Sequence, residues 1–165
     1  MDPYRYLPFL SRQVMQAWAD RQRPPADVAW APLAKPLSAC RVALITTAGI
    51  APRDGRPFDR EGERQNPWWG DPSWRCLSND VTERDVEVCH LHVDRAPIEA
   101  DLDVAFPLRR LSELAAAGEI GDVAANHYSI MGYILDARDL VTDTAPELAA
   151  HLAADGVDIV VLVPV

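Results

Sequence analysis

One lysine, Lys35, stands among 165 residues, and the remaining basic side chains are scattered arginines. Sixteen Lys and Arg face 25 Asp and Glu, for a net charge of −9. A phosphate backbone is gripped by clustered cations, so this chain offers no footprint for nucleic acid. Cysteine is scarce too. Cys40, Cys76 and Cys89 are odd in number and widely spaced, with no C-x-x-C pair. That pattern excludes a disulfide framework and a zinc knuckle, and each thiol reads as a small buried hydrophobe. No apolar run approaches the roughly 20 residues that span a bilayer. The start, "MDPYRYLPFL", lacks the basic residues and long apolar core of a signal peptide, so no membrane partner and a cytoplasmic location are expected. Neither G-x-G-x-x-G nor a P-loop occurs, which argues against a nucleotide site.

What is present reads as an ordinary folded chain, 48% hydrophobic and 25% charged, long enough to bury one sizeable core. Leu10, Val14, Ala17 and Trp18 fall at i, i+4, i+7 and i+8, the stripe of a helix that ends before Pro24-Pro25. We therefore separate an N-terminal helix with a proline-rich connector, residues 1–32, from a main domain, residues 33–165. The β-branched core of residues 42 to 47 predicts a buried strand. So does "GVDIVVLVPV" at residues 158 to 163, and "DVEVCHLHV" predicts a strand from Val86 to His92. A helix is expected around Leu108, Leu111, Leu114 and Ala115, stopped by Gly118. A second is expected after Thr144-Ala145-Pro146-Glu147, read as a capping box, with Gly156 closing it. Alternating strands and helices imply an α/β fold: three layers, a mostly parallel sheet and helices on both faces, flavodoxin- or Rossmann-like.

Residues 51 to 75 show neither periodicity and form a long structured loop carrying Trp68, Trp69 and Trp74. The loop is expected to cover apolar surface near the sheet edge, as a lid, a partner contact or a plain flap over the core. His90 and His92, two apart on the predicted strand, share a face. With His127 they could line a polar site or supply nitrogen ligands to a metal, and hydrogen bonding or proton transfer is the preferred reading. Asp80 either joins that pocket or caps a turn, and Tyr128 sits beside His127 in "ANHYS". Ser129 lacks the glycine frame of a nucleophile elbow, so a hydrolase is a weak reading. "TTAG", with Thr46 and Thr47, could offer backbone N–H groups to an anion or form a plain strand-to-loop transition.

The blocks "PLSACRVALITTAGI", "PFDREGERQNPWWGDPSWR", "VCHLHVD", "FPLRRLSELAAAGEIGDVAANHYSIMGYI" and "TAPELAAHLAADGVDIVVLVPV" occur in one order. Together they resemble the selenoprotein B family of the glycine, sarcosine, betaine and D-proline reductases, the D-proline-reductase-like branch most of all. The likeness covers about residues 33 to 165. In that family the strand, ending in a "TPV"-like sequence, is followed at once by selenocysteine, or cysteine in some members, the nucleophile. A partner subunit activates the substrate amino group, through a pyruvoyl group in the glycine and D-proline enzymes, and a thiol reductant of thioredoxin type completes the cycle. The resemblance implies an amino-acid substrate, and an active residue directly after Val165. Selenocysteine is encoded by UGA, so a chain ending at Val165 is what conventional reading of such a gene would give. No cofactor is expected within the chain itself. His127, His90, His92, Asp80 and Tyr128 are the candidate catalytic residues, Thr46, Thr47 and Trp69 the candidate substrate-binding ones, and no metal is assigned. A redox-inactive scaffold relative and a histidine-based metalloenzyme are the alternatives.

Overall fold

The computed structural model describes residues 8–21, 31–66 and 69–165. The chain divides into two compact units, Met1–Pro32 and Leu33–Val165. Within the first, α1 spans Phe9–Arg21; Pro24 and Pro25 lie outside the described residues.

The second unit is built around β1 (Arg41–Thr46), whose residues after Arg41 are all buried. It pairs in parallel with β5 (Asp122–Val123) at its start and with β6 (Asn126–Ile130) at its end. β7 (Ile159–Val163) runs parallel along the full length of β1. β3 (Trp74–Ser78) pairs antiparallel with β6, so the sheet is mixed, although β1 runs parallel to each of β5, β6 and β7. A flavodoxin- or Rossmann-like winding does not follow from this strand order. A separate antiparallel pair joins β2 (Ile50–Pro52) to β4 (Val86–Val88).

The α/β class rests on alternation along β1. Val42 and Leu44 face a core with Leu102 of a 3₁₀ turn, Phe106 of the connection after it, and Leu108 and Leu111 of α4 (Leu108–Ala116). Ala43 and Ile45 face the opposite core, with Tyr128, Leu148 and Leu152 beneath α5 (Ala145–Ala154). Each fully buried aliphatic side chain of this kind stabilises the fold by about 1.5–3 kcal/mol. Leu114 lies on the outer side of α4 and is exposed.

Several expectations are overturned for local reasons. β7 is not buried: Leu162 is 69% exposed and Val161 39%. Among the described residues its only partner is β1, so it forms an edge, and edge strands keep one side open. The strand expected to reach His92 stops at Val88, where the pairing with β2 ends. Thr144 makes no capping box, because residues 140 to 144 already turn helically in a π turn before α5. Its hydroxyl instead donates to the Pro72 carbonyl at 2.6 Å, and Glu147 accepts from the Trp74 indole at 3.0 Å. Gly156 does close α5, at φ +66°. The long loop contains structure of its own, namely β2 and the short helix α2 (Arg60–Gln65).

The sequence reading did not name β2, β3, β5 or β6, and of these β6 shapes the core most. Between Val42 and Ile45 of β1 the facing chain advances from Val123 to Tyr128, two residues more than the ladder needs. This bulge denies the Leu44 N–H a carbonyl. The His127 imidazole takes its place, with Nδ1 accepting from Leu44 N at 2.9 Å. His127 is fully buried and packs edge-on against Phe106 at 5.6 Å. Burial drives its pKa from 6.5 down to about 4, and the nearby Ala124 backbone offsets only part of that fall. The neutral ring is thus the folded form.

Because the folded-state pKa lies below the unfolded one, the contribution of His127 is complete above about pH 6.5 and is lost as pH falls towards 4. We expect unfolding free energy, measured by urea titration, to fall by roughly 3 kcal/mol across that window from this group. His127→Leu should flatten that part of the slope and cost about 1–3 kcal/mol at pH 7.5, since Leu44 N–H is left unpaired. An unchanged slope would refute the assignment.

Candidate functional site

Parallel strands β1, β6 and β7 all point their carboxyl ends to one edge of the sheet, the side where open α/β sheets collect ligands. At that edge Thr47 ties two strands together. Its N–H donates to the Val163 carbonyl at 3.0 Å, and its Oγ1 accepts from Val165 N at 2.9 Å. Gly132, just past β6, lies against it: a Cβ there would sit 2.8 Å from the Thr47 carbonyl oxygen. Thr46 points the other way into the core, where its hydroxyl donates to the Ala105 carbonyl at 2.7 Å. Thr47 therefore belongs to the edge and Thr46 to the scaffold.

Beyond Gly132 the chain carries Tyr133, whose ring lies 4.1 Å from that of His92. His92 Nε2 is 3.0 Å from Oε1 of Glu63, a residue of α2. His90 turns back beneath it, with Nδ1 accepting from His92 N at 3.1 Å and the two rings meeting edge-on at 5.9 Å. His90 is buried, and burial together with the neighbouring His92 pushes its pKa down, so it serves as a neutral acceptor. Glu63, 3% exposed, is pushed the other way: burial raises its pKa, while His92 and Arg64 pull against the rise.

The structure thus brings His90, His92 and Thr47 to elements of one edge and separates the other candidates. His127 fills the bulge in the core and has no hydrogen bond or ring contact with His90 or His92 among the described residues. Tyr128 projects through the opposite face, against Trp74 at 5.4 Å and near His151. Asp80 lies at the far end of the sheet: antiparallel β3 places Ser78 opposite Asn126, and the Asp80 carboxylate accepts from the Ser78 hydroxyl. Trp69 is half-buried and packs against α2, where a Cβ on Gly62 would come within 2.7 Å of its ring. Trp68 lies outside the described residues. Among the described residues no three His, Cys, Asp or Glu side chains gather as a metal cluster, and no helix is long and apolar enough to cross a membrane.

Glu63 was not singled out in the sequence, nor was the group that holds its helix in place. Arg75, on β3, buries its guanidinium under the loop. It donates to the carbonyls of Arg56 (2.6 Å), Pro57 (2.8 Å) and Trp74 (2.7 Å), pairs with Asp71 at 3.4 Å and stacks on Phe58. Asp71 in turn accepts from the backbone N–H of Asp59, the residue that caps α2, and of Ser73. Gly70 lets this loop lie directly on the Tyr133 carbonyl, where a Cβ would come within 2.1 Å.

Of the three cysteines, only Cys89 adjoins the site, directly before His90. Cys40 is buried before β1 with its thiol towards the Lys35 and Pro36 carbonyls, and Cys89 is buried with its pKa raised by desolvation. Cys76 lies on β3 and points to Asn126, its pKa also raised by burial. A raised pKa is the reverse of what an attacking thiolate requires.

Residues 22–165 match the family model for glycine/sarcosine/betaine reductase selenoprotein B. The chain belongs to that family. It is 31% identical over 133 residues to the D-proline reductase subunit gamma of Acetoanaerobium sticklandii, covering 81% of this chain and 52% of that protein. It is also 31% identical over 131 residues to the glycine reductase complex component B subunit gamma of Carboxydothermus hydrogenoformans, covering 79% of this chain and 29% of that one. The chain thus spans about half the length of one curated relative and under a third of the other. No solved structure matches it.

The Arg75 cluster predicts a mutational effect. Arg75→Met keeps apolar bulk beside Phe58 but removes the guanidinium and leaves Asp71 buried without its cation, which should cost about 3–5 kcal/mol. Removing both charges, with Asp71→Asn added, should recover part of that loss. Urea denaturation measures both. Amide exchange over residues 57 to 66 should quicken in the single variant, and equal protection would show that α2 is held by other contacts.

Proposed function

We propose that this chain is the α/β portion of a selenoprotein B-type subunit in an amino-acid reductase complex, acting in reductive C–N cleavage of glycine, sarcosine, betaine or D-proline. One observation carries the reading beyond family membership. The carboxyl ends of β1, β6 and β7 converge where the family's reacting residue is expected, and Thr47 fixes the backbone of Val165 there. A strand end held by a side-chain hydrogen bond is a rigid mount, and nucleophilic displacement demands such positioning. Thr47, with Gly132 pressed against it, would hold a selenocysteine or cysteine borne by the next residue. That residue would supply a low-pKa nucleophile for the substrate α-carbon.

The chain's own groups divide the remaining work. His92 and Tyr133 line the edge beside that mount, and Trp69 backs the helix that carries Glu63. A pyruvoyl group, where the reaction uses one, belongs to the partner subunit. The relatives' names place them in D-proline reductase and in a glycine reductase complex, which supports a partner subunit here. A dithiol of thioredoxin type is the proposed reductant, and the cytoplasm the proposed location.

The experiment combines a partner subunit with a family-length chain bearing selenocysteine or cysteine directly after Val165. Substrate-dependent dithiol oxidation is followed with each of the four amino acids. We expect turnover of one of them, and none from the 165-residue chain with the same partner. Turnover by the 165-residue chain would move the nucleophile to Cys40, Cys76 or Cys89. Binding of substrate without turnover in the family-length chain would favour a scaffold relative.

A further inference from the structure

Glu63 is expensive where it stands. A carboxylate 3% exposed, with neither oxygen accepting a well-aligned hydrogen bond among the described residues, is destabilising unless something uses its charge. The cationic or titratable groups facing it are few: Arg64 beside it on α2, and His92, with Nε2 3.0 Å from Oε1. His92 is held from three directions, by Glu63 at Nε2, by Tyr133 across one ring face, and by His90, which accepts from its backbone N–H. The same side chain is 48% exposed, and its Nδ1 takes no hydrogen bond among the described residues. A buried carboxylate behind a half-exposed, oriented imidazole is the arrangement by which proteins fix a tautomer and present a proton.

We propose that Glu63 and His92 form the proton-transfer pair of this site: Glu63 is a positioning residue, and His92 is the catalytic acid that protonates the departing nitrogen of the substrate. The assignment rests on the reductive-cleavage reading above. As the C–N bond breaks, its electron pair stays on nitrogen and takes the proton from Nδ1 of the imidazolium. The carbon is bonded by the reaction's nucleophile, and the dithiol reductant supplies the two electrons of the net reduction. The neutral imidazole that remains keeps its Nε2 proton towards Glu63 and is recharged from water. The raised pKa of Glu63 fits a carboxylate too desolvated to stand alone and dependent on its partner.

Two measurements test this. In the 165-residue protein, carbon NMR follows the Glu63 carboxyl through a pH titration. His92→Gln should raise its midpoint by about one unit, because the opposing charge is gone. A midpoint unmoved by that change overturns the pair, whatever the reaction proves to be. In the family-length subunit with its partner, Glu63→Gln should lower kcat on the order of 10–100-fold at similar KM and displace the limb of the pH profile due to the acid. Glu63→Asp should restore part of the rate, and His92→Gln should lose on the order of 10²–10⁴-fold. Wild-type kcat and an unshifted profile in both Gln variants, with unaltered circular dichroism, overturns the role of the pair. A wild-type complex inactive on all four substrates counts against the reductase reading, and the carboxyl titration then decides the pair by itself.

Discussion

The Leu44–His127 hydrogen bond is the constraint on which this fold turns. β1 has to satisfy backbone groups on both sides while buried on both faces, yet its neighbour on one side is broken by two extra residues. An unpaired N–H in that position would cost about 1–3 kcal/mol, a large share of a domain's net stability. A neutral imidazole cures the defect from the side. The bulge it permits also lets β6 resume in register and carry Gly132 and Tyr133 out at the carboxyl edge. A histidine that looks catalytic in the sequence thereby makes the edge possible without standing in it.

A buried charge cluster holds the long loop and α2 in place. Arg75 gathers the carbonyls of the long loop and Asp71 binds the cap of α2, so Glu63 arrives over the edge on a helix of only six residues. A helix that short is marginal in isolation and takes its order from such tertiary contacts. Packing, in this region, is mostly polar. It explains why the loop has no hydrophobic periodicity and is nevertheless structured.

Family membership and local geometry point to the same edge from different directions. The family match covers the whole second unit, while Gly132 meets Thr47, His92 meets Glu63, and Tyr133 beside Gly132 links the two pairs. The open side of β7 belongs to the same picture: Val161 and Leu162 are exposed on the strand whose end Thr47 holds.

The sequence by itself determined the α/β class, the buried β1, the helices over Leu108 and Leu148, and the family, because apolar periodicity and ordered local blocks survive in one dimension. It placed His90 and His92 on one face of a strand; they do meet, but in the segment beyond β4. Which histidine does what was decided only by tertiary structure. His127 and His92 are the same residue type; one is fully buried against a stray N–H and the other half-exposed before a carboxylate 29 positions earlier in the chain. β6 escaped notice because its inward residues are His127 and Ser129, polar groups that spend themselves on Leu44 and Ile50 N–H. Polar side chains satisfied by distant backbone leave no periodic trace, and a buried Glu63 reads in sequence like any charge on a solvated loop.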